Sequence, residues 1–126
     1  MAKKTGKPKP GDVESILEWA EEAISLKRDA RIAADEAVAY AEQALGFRPR
    51  ERNAILLAKE ARLALIECES HASRAKDRRW AVESLAPPHR REGAEKVVES
   101  VGRAAREARE HARRAREAVT RARRRR

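Results

Sequence analysis

Apolar residues recur along this chain at a seven-residue spacing. Ile16, Ala23, Ala30, Ala37 and Ala44 form one row, and Trp19, Leu26, Ala33, Tyr40 and Phe47 form a second beside it. The rows Leu17, Ile24, Val38, Leu45 and Val13, Ala20, Ala34, Ala41 widen the apolar arc, while Glu21, Glu22, Arg28, Asp29, Asp35, Glu36 and Glu42 take the opposite side. Apolar positions three and four apart with charge between them are the pattern of an amphipathic α-helix. An arc this wide can touch two neighbours at once.

The pattern returns twice. Ala54, Ala61, Cys68, Ala75 and Val82 run beside Leu57, Ala64, His71, Arg78 and Leu85; further on, Ala94, Val101, Ala108, Ala115 and Ala122 run beside Val97, Ala104, His111 and Ala118. Gly and Pro separate the three segments, at residues 6–11, at Gly46 and Pro49, and at Pro87-Pro88. Asp12 suits an N-cap, Gly46 a C′ position and Pro49 a first helical position. The spacing predicts helices over about 12–45, 49–86 and from 88 onward, each roughly 35 residues and roughly 50 Å long at 1.5 Å per residue. Short connections between long helices favour antiparallel neighbours, so the expected fold is all-α: an up-down-up antiparallel three-helix bundle or coiled coil. Residues 1–11 read as a basic flexible arm, 12–102 as the helical body, and 103–126 as an Arg-rich extension of the third helix.

Two stretches depart from a simple bundle. Between Ala54 and Ile66 large aliphatic residues point in nearly every direction around the axis, and one seam cannot bury them all. Leu56, Leu63, Ile66 and Trp80 lie away from the predicted seam of the second helix, as does Ile32 on the first. Such a patch marks a subunit or partner interface; the alternative is a rotated seam, with the flanking helices covering these residues. After Val101 the only large apolar residue is Val119. That stretch is expected to be helical, because Ala and Arg are strong helix formers, yet to project, fray or dock on something outside the chain. On this expectation, truncation at Gly102 leaves the body helical and removes a binding activity.

Composition narrows the classes. With 126 residues the chain is at most one ordinary domain, and 26 of its apolar residues are Ala, so the core must be thin. An aromatic content of 3% with five Gly and five Pro lacks the enrichment and the frequent turns of a sheet protein. No apolar h-region follows the basic opening residues, and no stretch approaches the roughly 20 apolar residues of a spanning helix. The lone Cys68 has no partner for an internal disulfide. The expected setting is cytoplasmic or intracellular, or a virion, with no membrane partner.

The net charge of +9 is segregated. Residues 1–10 carry +4 and residues 103–126 carry +8, whereas residues 12–45 carry −6 and residues 48–86 carry +3. On the third helix Arg109, Arg116 and Arg123 form one row, Arg106 and Arg113 another, and Arg114 with Arg121 a third, ending in Arg123-Arg124-Arg125-Arg126. Guanidinium groups bind phosphate through paired N–H donors and stay charged at any relevant pH. These arginines, with Lys3, Lys4, Lys7 and Lys9 on the arm, are therefore the expected contacts to nucleic acid or to an acidic protein surface. No helix-turn-helix spacing, zinc-finger pattern, leucine-zipper basic region or aromatic platform offers base readout, so nucleic-acid contact would be sequence-independent.

Catalytic chemistry is hard to find. His71, His89 and His111 are scattered, and pairing the last two helices about Pro87 sets His71 opposite about Ala104 and His111 opposite about Ala64. The two rings then lie roughly 10 Å out of register. Cys68 reads as a small core residue, with His71 three residues on as the one base near enough to activate it. Glu21/Glu22 and Asp35/Glu36 point in different directions and suit a solvated face. No phosphate loop, nucleophile elbow or zincin motif is present. The expectation is a non-enzymatic assembly or packaging protein without metal, cofactor or small-molecule substrate, self-associating or docking through apolar helix faces. The alternative is a purely structural subunit of a virion or other large particle, its Arg-rich helix packed on an acidic protein surface.

Overall fold

The computed structural model describes residues 13–85 and 92–124. They form a helical bundle of α1 (Val13–Leu45), α2 (Arg52–Leu85) and α3 (Glu92–Arg124), each packed on the other two, with no strand among the described residues. The first boundary expected from sequence agrees with α1 to within a residue. α2 begins later than Pro49, because residues 49–50 lie in a turn closed by the Glu51 N–H donating to the Arg48 carbonyl at 3.0 Å. At the end of α1 the Gly46 N–H donates to Gln43 O at 3.0 Å and the Phe47 N–H to Ala44 O at 3.2 Å. The last turn thus tightens to i→i−3 bonds, which satisfy its final carbonyls, and Gly46 needs no left-handed backbone.

The seven-residue rows are the core. Ile16, Ala23, Ala30, Ala37 and Ala44 of α1 are all buried, as are Ala54, Ala61, Cys68, Ala75 and Val82 of α2, and Val101, Ala108 and Ala115 of α3. Eighteen of the twenty-five buried hydrophobic residues among those described are alanine, and the largest fully enclosed side chains are only Val82, Val101 and Cys68. Side chains this small let helix axes come close, so contact comes from backbone proximity more than from buried area per residue. Ile16, Ala20, Ala23, Val82, Val101 and Ala104 form one cluster, flanked by Trp19, Ile24, Val97 and Val98. A larger cluster joins Leu26 through Ala41 of α1 to residues of α2 between Ala61 and Ala75 and of α3 between Ala108 and Val119.

Polar contacts tie the same elements together. Arg78 of α2 donates to Glu22 of α1 and sets its guanidinium 5.7 Å from the centroid of the Trp19 ring. The Cys68 thiol donates to the Ala30 carbonyl at 3.2 Å. Lys27 pairs with Glu107 at 3.2 Å and Arg114 with Asp35 at 2.9 Å, joining α1 to α3.

Two expectations need correction. The stretch after Val101 does not project: Ala104, Ala105, Ala108, Ala115, Ala118 and Val119 are buried, and the last four belong to the larger cluster. The physical reason is that the residues opposite are themselves mostly alanines, so α3 is held without large side chains of its own. The expectation that truncation at Gly102 spares the body falls with it. The rotated seam is also excluded, because Ile32, Leu56, Leu63, Ile66 and Trp80 are all exposed, Trp80 to 71%. Leu17, which the sequence pattern puts in a row widening the α1 arc, is exposed as well, because neither neighbouring helix covers that edge of α1, and so is Ile55 of the Ala54–Ile66 stretch.

Candidate nucleic-acid interface

The three arginine rows of α3 meet different surroundings. Arg114 lies toward the acid-rich α1, where its Nη2 donates to Asp35 Oδ1 at 2.9 Å and stands 3.3 Å from His111 Nδ1. Arg116 lies toward α2, its Nε donating to Glu69 Oε2 at 2.7 Å. Arg113 turns back along its own helix to Glu110 Oε1 at 2.6 Å. Arg106, Arg109, Arg121, Arg123 and Arg124 are exposed and make no ion pair with another described residue. Lys3, Lys4, Lys7, Lys9, Arg125 and Arg126 lie outside the described residues.

The arginine surface is therefore less uniform than its sequence implies, since Arg113, Arg114 and Arg116 are engaged by this chain's own carboxylates. Each of those pairs is solvent-exposed. Exposed pairs contribute about 0–1 kcal/mol each, so they trim the local field and leave the guanidiniums able to exchange partners.

Two basic residues of α2 escape notice in the sequence, because only the packing shows which flank of α2 faces α3. Lys76 and Arg79 line a groove of about 410 Å³ between the two helices, together with Arg106 and Arg109. Ala72, Ala105 and Ala112 keep it open, and Glu69 lies on its lining. Gly102 is buried beside it. A Cβ at that glycine would stand 3.6 Å from Arg79 Nε and 3.7 Å from Arg106 Nη1. A second hollow on the same flank brings Arg123 to Lys59 and Arg62 of α2, beside Ile55 and Ala58.

Cys68 is buried, and desolvation, helped by the neighbouring Glu69, pushes its thiol up to about 11 against a smaller opposing effect of Arg114. Burial and the bond to Ala30 O both favour the protonated thiol over the thiolate that a Cys68/His71 nucleophile would need. We expect the thiol to resist Ellman's reagent in the folded protein and to react at once in denaturant; rapid labelling under native conditions would contradict this burial. His71 Nδ1 is buried without a hydrogen-bond partner among the described residues.

His111 is held below its ordinary value of 6.5, first by burial and then by Arg114 and Arg31, with Asp35 and Glu107 opposing. A depressed folded-state value means the unfolded chain takes the proton more readily. The contribution is therefore intact above pH 6.5 and is lost as pH falls below it. Denaturant midpoints at about pH 8 and about pH 5 should diverge, and His111→Gln should narrow that gap; an unchanged gap would remove His111 from the account.

No group of three or more His, Cys, Asp or Glu among the described residues is placed to hold a metal ion, and no described helix is long and apolar enough to cross a membrane. Comparison with protein-family models, curated proteins and solved structures gives no match to the chain.

Proposed function

We propose that this chain is a non-enzymatic assembly or packaging protein that contacts nucleic-acid phosphates without reading sequence. The observation that carries the reading is the set of exposed guanidiniums on α3, at Arg106, Arg109, Arg121, Arg123 and Arg124, that have no ion-pair partner among the described residues. The scaffold in this proposal is an up-down-up antiparallel bundle. Its support is the register of cross-helix contacts: Glu22 with Arg78 and Ala30 with Cys68 run α1 against α2, whereas Lys27 with Glu107 and Asp35 with Arg114 run α1 alongside α3.

The deciding measurement is a fluorescence titration with random-sequence duplex at two salt concentrations. Binding should be present at low salt and should weaken with a log–log slope of about −0.9 for each phosphate neutralised. Absent binding at low salt, or binding without a salt slope, defeats the proposal. Self-association through Ile32, Leu56, Leu63, Ile66 and Trp80 is the second part of the reading, supported by their common exposure. Sedimentation should show an oligomer that Leu63→Lys with Ile66→Lys reduces to monomer at unchanged helicity.

A purely structural subunit of a virion or other large particle, its Arg-rich helix lying on an acidic protein surface, is the competing reading. The Arg114–Asp35 and Arg116–Glu69 pairs favour it, because α3 already takes carboxylates of neighbouring helices as partners. A chain that ignores duplex at low salt but is retained by an acidic protein would decide for it.

A further inference from the structure

We propose that the groove between α2 and α3 is a discrete site for nucleic-acid backbone phosphate, centred where the guanidiniums of Arg79 and Arg106 converge over Gly102. This rests on the phosphate-binding reading above and moves its centre from the C-terminal tip of α3 to the flank that α3 shares with α2.

Convergence is the first observation. Arg79 Nε and Arg106 Nη1 both lie within 3.7 Å of one point, the place a Cβ would occupy on Gly102, and so within about twice that of each other. A Cβ at that place would make only ordinary van der Waals contact with both groups, so the convergence is set by where Arg79 and Arg106 sit on α2 and α3 and not by the glycine. Like charges so placed repel, and the nearby acids do not fully offset them. Glu83 takes the Nε of Arg79 at 3.0 Å, and no bond from its terminal amino groups to another described residue is seen. Glu69, at the edge of the groove, is engaged by Arg116.

Lys76 and Arg109 add two more cations to the same lining. The α1 side of α3 behaves differently, since Asp35 meets Arg114 there and Lys27 meets Glu107. Positive potential is thus concentrated on the α2–α3 flank. An oxyanion with several acceptor oxygens is the ligand such a cluster fits, because each guanidinium can present paired donors to it. The site is an open groove floored by short side chains, which suits a phosphate carried on a chain passing over it. The Lys59, Arg62 and Arg123 hollow lies on the same flank. Arg62 and Arg79 are roughly 25 Å apart along α2 at 1.5 Å per residue, so a strand lying along this flank meets cations at both ends.

The test compares duplex affinity of the full chain with that of Arg79→Gln plus Arg106→Gln and of Arg121→Gln plus Arg124→Gln, which remove equal charge. Circular dichroism confirms that each variant is folded. We expect a loss of tenfold or more at low salt for the groove pair, a salt slope shallower by about two phosphates' worth, and a smaller loss for the tip pair. Arg79→Lys plus Arg106→Lys, which keeps charge but loses the forked donors, should still lose several-fold.

Equal losses from the groove and tip pairs, with lysine restoring binding, would overturn the site while leaving general phosphate binding in place. A second arm measures the melting temperature with inorganic pyrophosphate at matched ionic strength. If the full chain fails to bind duplex at low salt, the functional reading falls. A pyrophosphate shift that Arg79→Gln plus Arg106→Gln abolishes, without preferential loss of duplex, would mark a small-phosphate site and overturn the backbone assignment.

Discussion

A chain ending at Gly102 should fail to hold the fold. The deletion removes Ala104, Ala105, Ala108, Ala115, Ala118 and Val119 from the core and uncovers the alanine rows of α1 and α2 that they pack on. It also strips Lys27, Asp35 and Glu69 of their partners Glu107, Arg114 and Arg116. Two helices joined by small side chains bury little apolar area at about 25 cal/mol per Å², and long helices draw most of their stability from such packing. The far-UV helical signal should therefore fall by much more than the share of residues removed, and the cooperative thermal transition should vanish. Removing residues 123–126 instead takes away no buried side chain among the described residues and should leave the transition nearly in place. A cooperative transition surviving in the Gly102 truncation would show that α1 and α2 form a self-sufficient pair.

The second large effect belongs to the seam itself. Ala115 has no exposed surface, so Ala115→Leu must either push α3 off its neighbours or force strained rotamers. Overpacking of this kind costs about 1–3 kcal/mol, several degrees of melting temperature for a domain of this size. The matched control is Ala39→Leu on the exposed side of α1, expected within about 0.5 kcal/mol of the parent. If both substitutions melted alike, the helices would have to be spaced loosely enough to take in a leucine, contrary to the packing described.

The core rows were readable because a seven-residue spacing survives even when most of its members are alanine. Ile16 through Ala44 and Ala54 through Val82 are buried as their spacing predicts. The same feature caused the misreading of α3: judging packing by large residues discounts Ala108, Ala115 and Ala118, whose partners across the seam are also small. Periodicity also placed Leu56, Leu63, Ile66 and Trp80 outward, yet left open whether a neighbouring helix covered them, since that depends on where three axes sit. The arginines of α3 could be assigned to rows but not to surroundings. Asp35 and Glu69 are far away in sequence and reach Arg114 and Arg116 only through packing. Lys76 and Arg79 look ordinary in α2 for the same reason, and gain their company from Arg106 and Arg109.

The unequal flanks of α3 give the molecule a transverse dipole. Carboxylates of α1 line one side of the rod, and Arg106, Arg109 and Lys76, with no ion-pair partner among the described residues, lie on the other, so the proposed polyanion would be drawn to one edge. Under the phosphate-binding proposal, copies laid side by side on one polyanion would all turn the cationic edge to it, so their dipoles lie parallel. The mutual repulsion expected of a +9 chain is relieved by the phosphates and not by lateral attraction. Occupancy should then rise no more steeply with concentration than independent binding allows.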